Sequence, residues 1–390
     1  MTPSIFLKPG REKSVLNFHP WVFSGAIARV SGSPAAGDEV RVCDYQERFL
    51  ARGFFNPDSQ IRVRLLAFSD TPLDSTFFEK GLRRAISLRD SILSPQTNAC
   101  RLIHAEGDGL SGLIVDRYAE VLVAQFNARG MYLRREEIGK ILLDITGARH
   151  LIDRSDAKAL AAEGLSAAAK EPAGDLPQRI EILENGHQFE IDLLHGQKTG
   201  FFLDQRDNRR MIGELAGGKK LLNCFAYSGG FSVYAAATGS QTTSVDISKV
   251  AVEQARKNFA LNGLDPAAHH FEAANVFDYL RHIEGDRYDI IVLDPPAFAQ
   301  RKGDITKASR AYKDINRIAF QKVRENGLVL SCSCSSFISE DLFRKILFGA
   351  AKEAGRLVQI LARPAQPPDH PVNIYHPEGE YLKTVLMRVL

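Results

Sequence analysis

From Lys219 to the C-terminus the chain alternates short apolar stretches with helical ones, and this alternation constrains the fold more than any other feature of the sequence. The apolar stretches are KKLLNCF, TTSVDI, AHHFEAANV, YDIIVLD and GLVLSCS, with helices starting near Phe231 and spanning Lys249 to Asn262. Repeated strand–helix–strand units predict a mostly parallel sheet covered on both faces. In such sheets ligands bind beyond the carboxyl ends of the strands. Polar residues at those ends are therefore the first candidates for chemistry.

The first of these strands leads into Ala226-Tyr227-Ser228-Gly229-Gly230-Phe231, where glycines let the backbone approach a ligand at a helix start. The next ends in Ser244-Val245-Asp246, about twenty residues beyond the glycines, the spacing at which an acid can accept hydrogen bonds from ribose hydroxyls. Asp246 could equally cap the helix that follows. Asn275-Val276 follows a further strand-like stretch, as a candidate adenine contact, and Asp294-Pro295-Pro296 ends YDIIVLD. A dinucleotide fold would show GxGxxG where this chain has Phe225-x-Tyr227-x-Gly229-Gly230, which weakens a nicotinamide reading. Taken together, the strand ends predict S-adenosylmethionine as cofactor and methyl transfer as chemistry.

Asp294, Pro295, Pro296 and Phe298 suit a planar nitrogenous base: the prolines stiffen the loop, the acid reaches a base edge and the ring can stack. Arg301 and Lys302 follow as candidate backbone contacts. Gln197 to Arg206, QKTGFFLDQR, gathers glycine, aromatics and both charges before the first strand. This segment is expected to close over the methionine part of the cofactor, with Lys198, Thr199, Phe201, Asp204 and Arg206 as candidate contacts. Where methylation of such a base proceeds through a covalent adduct, a cysteine thiolate is the candidate nucleophile. Cys332 and Cys334 follow Leu328-Val329-Leu330, and strand alternation puts both on one side, so spacing alone does not separate them. Cys224 and Cys43 read as small buried hydrophobes.

Upstream the pattern differs. The first 66 residues carry nine Lys or Arg against six acids, with alternating stretches such as Glu39 to Val42 and Ile61 to Leu65 between turn signals. This predicts a compact β-rich module able to meet an anion. Lys8, Arg11 and Lys13 are its candidate phosphate contacts, beside His19 and Trp21. Residues 73–183 read as α+β: FFEKGLRRAISLRDSIL is helical in period, LSGLIVDRYAEVLVAQF reads as paired strands, and AKALAAEGLSAAAKEPAGDLPQ contains an exposed loop. IEILENGHQFEIDL is a hairpin turning at Asn185-Gly186. The expected division is 1–72, 73–183 and 184–390.

The motifs LKPGREKS, HPWVFSGAI, KTGFFLDQR, LLNCFAYSGGFSV, DPPAF, YKDIN and SCSCS run through nearly the whole chain. In them the sequence resembles the ribosomal RNA large subunit methyltransferase I family. The resemblance implies an N-terminal PUA domain, a small central domain and a Rossmann-like methyltransferase domain making 5-methylcytosine in 23S ribosomal RNA. It also implies Cys334 as the nucleophile, with Asp294 holding the base edge. The partner would be 23S ribosomal RNA, free or in a large-subunit assembly intermediate. Two other readings remain open: methylation of a nitrogen such as guanine N7, which needs no thiol, and a non-catalytic RNA-binding assembly factor.

Composition fits a globular chain, 44% hydrophobic and 25% charged with net charge +3. No apolar run approaches the roughly 20 residues that span a bilayer. The N-terminus lacks a secretory pattern, and the five scattered cysteines suggest neither a disulfide framework nor a zinc site, so a cytoplasmic protein without metal is expected. Its oligomeric state stays open, a homodimer included.

Overall fold

The computed structural model describes residues 2–166, 177–194, 196 and 198–390. Gln197 and most of the Ala- and Pro-rich stretch after Ser166 lie outside the described residues. Contacts group the chain into two compact units. The first holds residues 1–182, 191–203 and 368–379; the second holds 183–190, 204–367 and 380–390.

In the first unit a six-stranded sheet carries the N-terminal module, including strands Glu39–Cys43, Phe49–Phe55 and Ile61–Ala67. Alternation buries Val40, Val42, Val63 and Leu65 completely or nearly so, as expected of a sheet with one covered face. The helix Ser75–Ile92 starts at Asp74, whose carboxylate accepts the Phe77 N–H, an N-cap worth about 1 kcal/mol. A four-stranded sheet follows, in which Leu113–Tyr118 and Val121–Phe126 pair antiparallel.

The second unit is built on a seven-stranded sheet. Its strands are β1 (Lys220–Cys224), β2 (Gln241–Asp246), β3 (His270–Ala273), β4 (Tyr288–Leu293), β5 (Val323–Ser333), β6 (Val358–Ala362) and β7 (Lys383–Val389). Their spatial order is β3-β2-β1-β4-β5-β7-β6. The first five run parallel, and β7 lies antiparallel between β5 and β6. Helices α1 (Arg206–Ala216), α2 (Gly230–Ala236), α3 (Lys249–Leu261), α4 (Val276–His282), α5 (Ile305–Lys322) and α6 (Glu340–Ala354) pack around it. Leu222, Ile290, Ile291, Val292, Leu293 and Val329 are fully buried, as central strands covered on both faces must be. The strand order reverses between β1 and β4, and the loops leaving their carboxyl ends flank that point.

Two polar residues inside the apolar strands have local partners. Asn223 on β1 donates from Nδ2 to the Ser232 hydroxyl, 3.0 Å, and Ser232 shares a 2.7 Å hydrogen bond with Ser244 on β2. A buried polar ladder thus registers α2 against both strands, satisfying the Asn223 Nδ2 and both hydroxyls, while the Asn223 Oδ1 has no hydrogen-bond partner. Ahead of the sheet, strands Arg179–Glu184 and His187–Asp192 form a two-stranded hairpin. Its turn has positive φ at both Asn185 (48°) and Gly186 (86°), the conformation the Asn-Gly pair predicts.

Candidate active site

The two glycines after β1 are fixed by separate close contacts. Gly229 has φ +80°, and a Cβ there would stand 2.8 Å from the Ala255 Cβ on α3. Gly230 admits Arg209: a Cβ would lie 2.7 Å from its Cδ. Arg209 is buried and holds Glu184 through two hydrogen bonds of 2.8 and 2.6 Å, while the Tyr234 hydroxyl donates to the same carboxylate at 3.0 Å. Part of the Gly-Gly signal therefore reflects the passage of a buried ion pair beneath the loop.

The loop itself is wound tightly, with Phe225 at φ 59° and Tyr227 at φ 46°. Asp246 organises it: one carboxylate oxygen accepts the Tyr227 N–H and the other the Ser248 N–H, both at 2.9 Å. The cap of α3 is Ser248, whose hydroxyl accepts the Ala251 N–H. The sequence left Asp246 between a ribose contact and a cap; the cap falls to Ser248, and the carboxylate stands at the strand end clasping the glycine loop. An acid at this position, a loop that only glycine allows and a buried Ser228 hydroxyl without a hydrogen-bond partner fit a nucleoside-bearing cofactor.

Val276 is buried in the core behind the sheet, and the Asn275 side-chain oxygen caps α4 by accepting the Phe277 and Asp278 N–H groups. The Val276 side chain is thus part of the apolar core at the start of α4. Phe298 likewise packs inward, with its ring centroid 4.6 Å from Tyr312 and 6.1 Å from Phe277. The ring is partly buried and packs against the core beside the Asp-Pro-Pro loop.

The segment read as a lid divides between the two units at Leu203–Asp204. In the first unit, Thr199 is buried, bonded to Asp116 and within 3.0 Å of the Tyr118 hydroxyl, which also accepts the Phe201 N–H at 3.1 Å. The Thr199 hydroxyl and the Phe201 N–H thus anchor the segment to the four-stranded sheet through Asp116 and Tyr118. Lys198 is exposed with its amine over the Phe202 ring. In the second unit, Asp204 is buried and accepts a hydrogen bond from the Tyr381 hydroxyl at 2.8 Å, and Arg206 is buried at the start of α1.

Strands β4 and β5 are neighbours, with Leu293 opposite Ser331, so Asp294 and Cys334 both leave the same edge of the sheet. Residues missed in the sequence complete this edge. Gln205 donates from Nε2 to Asp294 at 2.9 Å and accepts from Asn208 at 2.6 Å. The Thr384 hydroxyl on β7 contacts both Asn208 (3.3 Å) and the Cys332 sulfur (3.8 Å). These partners lie far apart in sequence, and no motif spacing announces them.

The same network separates the two cysteines. Cys332 lies inside β5, fully buried, and desolvation with the nearby Asp294 charge drives its thiol far above its ordinary pKa. β5 ends at Ser333, so strand alternation does not extend to Cys334, which is half-buried just past the edge. The Ser333 hydroxyl donates to Tyr312 at 3.0 Å; burial chiefly raises the Tyr312 pKa to about 12, with smaller contributions from Cys334 and Asp294. Tyr312 is the first residue of the YKDIN motif. Cys224 is buried and its thiol pushed up by desolvation alone, as a structural cysteine should be.

In the N-terminal module, Lys8, Arg11 and Lys13 are exposed, with the Lys8 amine donating to the Gly25 carbonyl. Trp21 is partly buried, donating from its indole to Glu106 at 2.9 Å with the His376 ring 4.4 Å away. Among the described residues no cluster of side chains could hold a metal ion, and no helix is long and apolar enough to cross a membrane.

A parallel sheet with an antiparallel seventh strand, and an acid-clasped glycine loop after the first, define an S-adenosylmethionine-dependent methyltransferase. The corresponding family model matches residues 147–388, and a PUA-like domain model matches residues 5–68. Over the full length of both chains, the sequence is 42% identical to a ribosomal RNA large subunit methyltransferase I of Tolumonas auensis and 43% identical to that of Shewanella denitrificans. The chain belongs to the ribosomal RNA large subunit methyltransferase I family. Among solved structures, a Streptococcus mutans protein described as a SAM-dependent methyltransferase is similar over 100% of both chains at 26% identity, TM-score 0.83. A methyltransferase described as complexed with SAH is similar over the same span at TM-score 0.84.

Proposed function

We propose that the protein methylates C5 of a cytosine in 23S ribosomal RNA through a covalent adduct between Cys334 and C6. The observation that carries this reading is the contrast at the end of β5: Cys332 is sealed in a hydrogen-bonded core, whereas Cys334 stands past the strand end on the edge that Asp294 also leaves. Support for the substrate comes from relatives named as ribosomal RNA large subunit methyltransferases and from the basic, PUA-like module. Lys8, Arg11 and Lys13 would meet phosphates there, on RNA presented free or within an assembling large subunit.

Cys334 loses its proton to solvent, and the thiolate pair forms the bond to C6 while the C5–C6 π pair moves onto C5. S-adenosylmethionine, when bound, would supply the electrophilic methyl group for C5, its S–CH3 bond breaking with the pair kept by sulfur, so that S-adenosylhomocysteine leaves. Asp294, fixed by Gln205, holds the N3/N4 edge of the flipped base during this addition. Transfer of the C5 proton to water then lets the C–H pair restore the C5–C6 double bond, and the C6–S bond breaks with its pair returning to sulfur as thiolate.

Asp246, Tyr227 and Gly229 would form the ribose end of the proposed cofactor site, with Asp204 and Arg206 as further contacts. The test is Cys334→Ala assayed on ribosomal RNA lacking the modification. Loss of 5-methylcytosine formation with unchanged S-adenosylmethionine binding is expected. Full retained methylation would overturn the covalent mechanism and favour a nitrogen target.

A further inference from the structure

The antiparallel edge of the sheet puts an amine on the turn that carries the thiol. Ser333 of β5 pairs with Lys383 of β7. From there the Lys383 Nζ donates to the carbonyl of Ser335 at 2.6 Å. The amine is thereby fastened across the turn whose middle residue is Cys334. Lys383 is partly buried, and an ammonium drawn out of water is stabilised only where an anion can face it.

We propose that Lys383 is a positioning residue for the reaction: its ammonium, tethered to the Ser335 carbonyl, stabilises the Cys334 thiolate. This rests on Cys334 being the nucleophile. An ordinary thiol, with a pKa near 8.5, is only a few per cent ionised at neutral pH, and an adjacent cation raises that fraction. In the ionisation the S–H bond breaks, the proton goes to solvent and the sulfur keeps the pair.

Burial lowers Lys383 to about 8, while Cys334 and Glu380 act in the opposite direction by favouring its charged form. The amine is therefore mostly charged at neutral pH. The titratable groups acting on Lys383 include Cys334 and Glu380; Cys332 and Tyr312 also interact with the thiol, and Asp294 acts on both of these. Asp294 is an anion at the same edge and opposes a second negative charge there. A fixed cation on β7 offsets that opposition.

The test uses the full chain and the pH dependence of Cys334 alkylation by iodoacetamide, with peptide fragmentation resolving Cys334 from Cys332. Lys383→Met should move the midpoint upward by about 1 unit or more, so that alkylation below the midpoint slows about tenfold. Lys383→Arg should restore the original midpoint. Lys383→Gln retains a donor for the Ser335 carbonyl without the charge, and should behave as Met does. An unmoved midpoint in Met and Gln variants that still bind S-adenosylmethionine by calorimetry would reduce Lys383 to a tether and overturn the proposal. If the Met variant fails to bind, the Gln and Arg pair decides. Failure of the nucleophile reading is seen separately, as methylation surviving Cys334→Ala whatever the alkylation profile.

Discussion

Replacing Asp246 by Asn isolates how a strand-end acid builds the cofactor loop. In the native protein each carboxylate oxygen accepts one backbone N–H, from Tyr227 and from Ser248, at 2.9 Å. Asparagine is nearly isosteric but offers one oxygen, so one of those N–H groups must face an amide NH2. The lost interaction is a hydrogen bond to a charged group, worth about 1.5–3 kcal/mol. Because the affected bonds set the loop at Tyr227 and the start of α3, most of this loss should appear in cofactor affinity. At about 1.4 kcal/mol per tenfold, the expected weakening is about 10- to 100-fold in Kd. Calorimetry with S-adenosylmethionine measures it, and a melting curve without ligand checks that the fold persists. A Kd within twofold of wild type, with Asp246→Asn still folded, would refute the idea that this carboxylate organises the site.

Gly229→Ala should weaken S-adenosylmethionine binding about tenfold, from a left-handed backbone strain of about 1–2 kcal/mol and the collision with Ala255. Adding Ala255→Gly should recover only part of the affinity, since the strain at φ +80° remains; complete recovery in calorimetry would show the strain to be unimportant. Glu184→Gln leaves the buried Arg209 guanidinium without its counter-charge and should cost about 3 kcal/mol in denaturant unfolding, against no measurable change if the pair were solvated. Cys332→Ala should retain methylation, in contrast to Cys334→Ala, because the Cys332 sulfur is sealed beneath Thr384; loss of activity in a variant that still binds cofactor would reverse the assignment of the two thiols.

The alternation from KKLLNCF to GLVLSCS determined the fold class, because a strand buried on both faces must be apolar along its length and a helix must follow to reach the next parallel strand. Asn-Gly determined the hairpin turn for an equally local reason, since both residues tolerate positive φ. Tertiary structure decided what depends on residues distant in sequence: Gln205 against Asp294, Thr384 against Cys332, and Lys383 against the turn that carries Cys334. It also decided that Val276 and Phe298 face the core, a matter of which side of an element is already covered. The two cysteines show the division most plainly. Period-two spacing placed them together on one face, and only the observed end of β5 at Ser333 separates a buried thiol from one left at the edge.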